Sequence, residues 1–265
     1  MTPTPVNLAL LGWLIMAAVM LLLWIFQRAR NDAGIVDVGW AAGLGILAIL
    51  YAALADGHPG RRALVAALVA AWSFRLAIYL LFNRVVGKPE DGRYQTLRKN
   101  WGGRVQPFFF VFFQAQGLLD VILSLCFLAP MFEKRSDFLA LEYVAVAVWL
   151  VSVIGESIAD AQLARFRADS TNRGRTCRDG LWKYSRHPNY FFEWLHWWTY
   201  VLIGLTVPYG WLAFLGPALM LFLILKVTGI PPTEERALAG RGDDYRAYQR
   251  TTSVFFPWFP KKDLA

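Results

Sequence analysis

Six stretches of this chain are apolar runs of about 20 residues, the length a helix needs to cross a bilayer. They lie near Val6–Phe26, Ile35–Ala55, Ala63–Phe82, Pro107–Phe132, Phe138–Ile158 and Trp211–Val227. In lipid a backbone must satisfy its own hydrogen bonds, so such runs predict helices. A seventh run, Tyr190–Val207, is shorter and carries Glu193 and His196. It reads as a further span or as a re-entrant half of a hairpin with the last helix. The first run is not a typical signal peptide: no Lys or Arg precedes it, and Gln27, Arg28, Ala29 and Arg30 follow where a small-residue cleavage site would stand. Only 17% of the residues are charged, against about 25% in soluble proteins. The expectation is an all-α integral membrane protein of about seven transmembrane helices, with a cytosolic cap of loops and tail. No repeat or flexible linker divides it, so residues 1–265 read as one multi-pass domain.

Charge sets the orientation. With the N-terminus outside, the inner loops and tail hold 21 basic residues. The outer loops hold only Arg61, Arg62, Lys134 and Arg135. That asymmetry predicts N-out, C-in. The net charge of +8 does not suggest nucleic acid, because apolar runs break up the basic residues. Cys126 lies in an apolar run and Cys177 in a basic loop, so no disulfide is expected.

Ionisable groups inside spans are costly and point first to function. Asp37 and Arg75 sit near the inner ends of the second and third spans. Gln114, Gln116 and Asp120 lie in the fourth, and Glu156 and Asp160 close the fifth. Asn189, Glu193 and His196 follow at spacings of four and three, which places them on one helical stripe. Bland readings exist for some: an Asp37–Arg75 ion pair, glutamines bonding neighbouring helices, an interfacial His196 among tryptophans. Glu193, an acid one turn into an apolar helix, reads as a site residue.

The inner loops mix Arg and Lys with aromatics, as in NRVVGKPEDGRYQTLRKNWGGR and RFRADSTNRGRTCRDGLWKYSR. Arg suits phosphate through bidentate contacts, and a nucleotide base stacks on Tyr or Trp. Anionic lipid headgroups would use the same residues. A Walker loop, a GxGxxG after a strand and a GxSxG are all missing from the sequence. Three histidines (His58, His187, His196) with no zinc-like spacing give no expectation of a metal.

The run GLWKYSRHPNYFFEW, Gly180–Trp194, resembles a segment shared by sterol reductases, steroid 5-alpha-reductases and isoprenylcysteine carboxyl methyltransferases. The tail, with Glu234–Glu235, GDDYRAY at Gly242–Tyr248 and FFP at Phe255–Pro257, resembles the C-terminal cytosolic motif of that superfamily. The likeness marks a reductase-like half at about 150–265. IVDVGW at Ile35–Trp40 and EDGRYQTLRKNWGG at Glu90–Gly103 look like an uncharacterised bacterial branch usually grouped with the 5-alpha-reductases.

The resemblance implies NADPH bound from the cytosolic side and reduction of a carbon–carbon double bond in a lipid that is steroid-like, polyprenyl or fatty acyl. The membrane would be the bacterial inner membrane. The implied cofactor contacts are Asp160, Arg165 and Arg167 at the end of the fifth span, and Arg186, His187, Asn189 and Tyr190 in RHPNY. Tyr184, Glu235, Tyr245 and Tyr248 come with the flanking motifs, and Asn83, Arg93 and Arg98 from the first basic loop. Glu193 and Asp37 are the candidate catalytic acids, in that order. An acid in an apolar cavity keeps its proton and can donate it. The tyrosine that partners the catalytic Glu of the steroid enzymes aligns with Trp72, which argues against a 3-keto steroid. The alternatives are an S-adenosylmethionine-dependent methyltransferase of the isoprenylcysteine type, or a non-catalytic lipid-binding protein.

Overall fold

A computed structural model describes residues 3–262, and among them there are helices and no strand. The helices are α1 (Pro5–Arg30), α2 (Ile35–Leu54), α3 (Pro59–Leu80), α4 (Gly92–Trp101), α5 (Val105–Leu128), α6 (Ala140–Ala168), α7 (Pro188–Gly204), α8 (Leu215–Phe222) and α9 (Ile230–Thr251). Single π-turns, Leu81–Val85 and Leu223–Val227, extend α3 and α8. Six helical stretches among the described residues are long and apolar enough to cross a membrane, and they coincide with the six apolar runs. The shorter run forms α7, whose 17 residues reach about 25 Å at 1.5 Å per residue, somewhat less than the hydrocarbon thickness.

Internal contacts group the chain into two compact units. Unit one is Met1–Ala140 with Ile203–Leu215; unit two is Leu141–Leu202 with Gly216–Ala265. Unit two overlaps the C-terminal half that the motifs single out.

Unit one is built on small residues that let helices approach. A Cβ at Gly43 would fall 2.4 Å from the Met16 methyl and 2.6 Å from Asp120. One at Gly12 would meet Tyr51 and Leu47. Close backbones allow van der Waals packing where lipid supplies no hydrophobic drive. Polar side chains then lock the register: Ser73 bonds the Gly45 amide at 2.8 Å, Tyr51 lies 3.0 Å from Ser124, and Gln27 donates to Gln106 at 2.7 Å. Gln114 donates to the Ala17 carbonyl of α1 at 3.2 Å, the helix-bonding role expected of it. Leu14, Leu22, Ile25 and Val111 remain exposed, as lipid-facing residues do.

The four basic residues on the sparsely charged side have structural partners. Arg61 is buried and donates to the carbonyls of Arg135 and, at 2.7 Å, Asp137. Arg62 caps the end of α2 through the Ala52 and Ala55 carbonyls at 2.8 and 2.6 Å. Lys134 pairs with Asp56 at 3.1 Å, and Arg135 reaches the Thr206 carbonyl at 3.4 Å.

In unit two, α6 packs on α7 where Gly155 meets the Phe192 ring. Past α6 the chain turns back through Gly180, whose φ is +58° and whose missing Cβ leaves room for Gln162. Gln162 accepts from the Leu181 amide at 2.9 Å, and the Trp182 indole donates to the Ala159 carbonyl at 3.0 Å. This folds the basic loop onto the end of α6. The apolar stretch containing α8 ends at Val227. Eight of the 22 residues of α9 are charged, and the helix is kinked at Gly242, whose φ is +52°. Cys126 and Cys177 are both buried and form no disulfide with each other.

Candidate functional site

Glu234, in the first turns of α9, is the hub of unit two. Its Oε1 accepts from Arg186 Nε at 2.7 Å and Tyr245 OH at 3.2 Å, with His187 Nε2 3.2 Å away. Its Oε2 accepts from Gln249 Nε2 at 2.8 Å. Arg186 Nη1 donates to the Gln249 and Thr252 carbonyls at 3.0 and 2.9 Å. One carboxylate thus ties the residues just before α7 to three points along α9. Tyr248 adds a buried clamp by donating to the carbonyls of Trp182 and Ser185.

The RHPNY segment leads from this hub into α7. The His187 ring stacks on Tyr190, with centroids 5.4 Å apart and planes 5° from parallel. Tyr190 OH lies 3.3 Å from Thr233 Oγ1, and Asn189 donates to the buried Asp160 at 3.3 Å. The last bond joins the end of α6 to the start of α7. Glu193 follows one turn on, half-buried, and His196 Nε2 lies 2.7 Å from Tyr200 OH in the core. Asn189, Glu193 and His196 do form one stripe, running inward from the charged end.

Cations surround this end. Arg165 and Arg167 are exposed on the last turn of α6. Arg241 covers the Tyr245 ring at 4.9 Å. Arg178 is engaged with Asp244 at 2.8 Å. Glu235, singled out from the acidic pair, is exposed; its neighbour Glu234 holds the network. Tyr184 packs on Phe259 in the tail, with ring centroids 6.0 Å apart.

Unit one carries a second network. Asp37, in the first turn of α2, accepts from Arg93 Nη2 at 2.7 Å and Tyr94 OH at 2.6 Å. Arg98 forks onto Glu90 at 2.8 and 3.2 Å, and Glu90 accepts from the Ala33 amide at 2.7 Å. Together these bonds staple α4 to the start of α2. Arg93 and Arg98 are therefore occupied within the unit, and Asn83 is exposed and bonds the Tyr79 carbonyl. The phenol on Asp37 is thus Tyr94, and Trp72 is fully buried. An apolar cavity of about 910 Å³, lined by Trp13, Leu118, Leu125, Phe132 and Leu212, lies at the other end of α1 and α5 from this network.

A family model described as a protein of unknown function, DUF1295, matches residues 23–252, a stretch that contains both networks. An uncharacterised protein of Schizosaccharomyces pombe is 26% identical over 246 residues, covering 80% of this chain and 68% of its own length. No solved structure matches the chain.

Proposed function

We propose, for a chain that belongs to the DUF1295 family of proteins of unknown function, the NADPH-dependent reduction of a carbon–carbon double bond in a membrane-soluble lipid. The observation that carries this reading is the braced polar end of unit two. Its hub fixes RHPNY beside exposed cations, and from it a polar stripe leads to Glu193 in an otherwise apolar helix. Such an end suits a phosphate-bearing cofactor entering from water and an apolar acceptor entering from lipid.

The residues of unit two suit NADPH once Arg186, Arg93 and Arg98 are reassigned from cofactor contact to bracing. Arg186 is committed to Glu234 and two carbonyls, so it positions the segment. Phosphate contact falls to Arg165, Arg167 and Arg241, and base or nicotinamide contact to Tyr190 and Asn189. The bound cofactor would supply the hydride; Glu193 would hold the proton the second carbon needs. Asp37 already accepts two hydrogen bonds, which suits an orienting role better than donation.

The full chain purified in mild detergent should release a reduced nicotinamide nucleotide on denaturation. Arg167→Ala with Arg241→Ala should weaken its retention by about 1.5–3 kcal/mol per lost charge-assisted bond. Release of S-adenosylmethionine instead would move the assignment to a methyltransferase, and lipid alone would leave a non-catalytic binder.

The same reading places the chain in a bacterial inner membrane, N-out and C-in, with the Glu234 end in the cytosol. The 21-to-4 charge split supports it, and the four outer cations have the structural partners given above. A reporter fused after Ala265 should be cytosolic and one before Met1 external. Both ends on one side would overturn the seven-span topology in favour of a re-entrant α7.

A further inference from the structure

The segment after α9 exposes large aromatic side chains. Phe256, Trp258 and Phe259 are 57%, 70% and 75% exposed, while Phe255 between them and the hub is buried. Aromatic residues this exposed at the end of a chain would ordinarily belong to a loose tail. This one is pinned. The Trp258 amide donates to the Tyr184 carbonyl at 2.9 Å, and the Lys261 amide to the Thr251 carbonyl at 2.8 Å. Ser185 Oγ donates to the Phe255 carbonyl at 2.8 Å, and the Arg186 amide to the Ser253 carbonyl at 2.8 Å.

The position of the patch is equally defined. The Phe256 ring packs edge-on against Phe191 and Trp194, 5.9 and 5.8 Å between centroids. Both belong to the first two turns of α7, where that helix leaves the charged end and turns apolar. Phe259 packs on Tyr184, and Lys183 Nζ sits 6.0 Å over the same Tyr184 ring. Lys183, Lys261 and Lys262 are all exposed, and no acidic residue occurs from Ser253 to Lys262. Rigid aromatic rings at the foot of an apolar helix, with exposed lysines beside them, match the chemistry of the headgroup layer. Amphipathic rings sit at that depth, and ammonium groups meet lipid phosphates there.

We infer that Phe256–Lys262, together with Lys183, is a membrane-interface anchor for anionic lipid. Phe256, Trp258 and Phe259 enter beneath the headgroups, and Lys183, Lys261 and Lys262 lie against the phosphates. The backbone pins then hold α9, and with it the Glu234 hub, at the bilayer surface. The inference is independent of the reaction that unit two performs.

The test uses the full chain in lipid nanodiscs whose phosphatidylcholine is brominated on the upper acyl carbons, with or without phosphatidylglycerol. Subtracting the emission of Trp258→Phe from that of the parent isolates one of the 12 tryptophans. Trp258→Phe keeps a ring, and an unchanged unfolding temperature checks that the fold is kept. Bromine should quench the Trp258 share by roughly half or more when phosphatidylglycerol is present, as for an interfacial ring. Lys261→Glu with Lys262→Glu should reduce that quenching to the level of discs without the anionic lipid. A Trp258 share that bromine does not quench in anionic discs overturns the anchor. So does quenching that ignores both the anionic lipid and the lysine variants. A Trp258-dependent dimer in detergent would instead assign the patch to a second copy of the chain.

Discussion

Glu234→Ala is expected to destabilise unit two by about 3–5 kcal/mol, the cost of removing one partner from a buried ion pair. Glu234 and Arg186 are only 15% and 12% exposed, and the carboxylate accepts from Arg186, Tyr245 and Gln249 with His187 beside it. Alanine leaves an Arg charge and a His in a partly dry site. Thermal unfolding of the full chain in mild detergent, with proteolysis in α9 as a local readout, checks this. A loss below about 1 kcal/mol would class the pair with ordinary surface salt bridges. The pH dependence has a definite sign. Burial alone would raise the Glu234 carboxyl; the hydrogen bonds from His187 and Arg186 overcome it and hold it at about 2, against an ordinary 4.5. Burial lowers His187 below its ordinary 6.5, with Glu234 pulling the other way. In both cases the unfolded chain binds more protons, so acid removes stability. The His187 share is complete above pH 6.5 and fades below it. The Glu234 share is complete above 4.5 and fades toward about 2. Glu234→Gln should therefore flatten the acid limb below pH 4.5.

What could be read beforehand divides along physical lines. The six long helices were legible because lipid imposes one rule, an unbroken run of about 20 apolar residues. α4 and α9 were not, because both are charged, surface-seeking helices without such a run. Asp91 caps α4 and Gly102 ends it, but those ten residues read equally well as a basic loop. In α9 the kink at Gly242 breaks the period. The motif GLWKYSRHPNY located the charged end of unit two, yet motif alone could not choose between Glu234 and Glu235. Helical phase decides: Glu234 faces Arg186 and His187, 48 and 47 residues away, while Glu235 faces solvent. Tyr94 is not legible in the sequence as the phenol on Asp37. Its partner Asp37 is 57 residues back, a separation that no local pattern bridges. The first basic loop reads from sequence as an anion site; that Arg93 and Arg98 also brace α4 shows only through their acceptors, Asp37 and Glu90.

Glu193→Gln carries the largest expected effect on turnover. Glutamine keeps the size of the side chain and one hydrogen-bonding end but has no acidic proton. If Glu193 delivers the proton to the second carbon, nucleotide retention should survive while reduction slows about 100-fold or more, the span for a lost general acid starting there. Its place supports that role: one turn beyond Asn189, half-buried, on the stripe that runs inward from the hub. A purely structural Glu193 predicts the opposite pattern, lower stability or weaker nucleotide retention with turnover per occupied site intact. Asp37→Asn is the necessary comparison. Asp37 is held by Arg93 and Tyr94, so its amide should loosen α4 from α2 and slow turnover less than Glu193→Gln does. If Glu193→Gln turns over at the parental rate and Asp37→Asn is inactive, the Asp37–Tyr94 pair is the donor and the order of the two acids is reversed. If neither variant slows reduction, the proton comes from water or a tyrosine, and an acid-assisted ene reduction is the wrong mechanism for this chain.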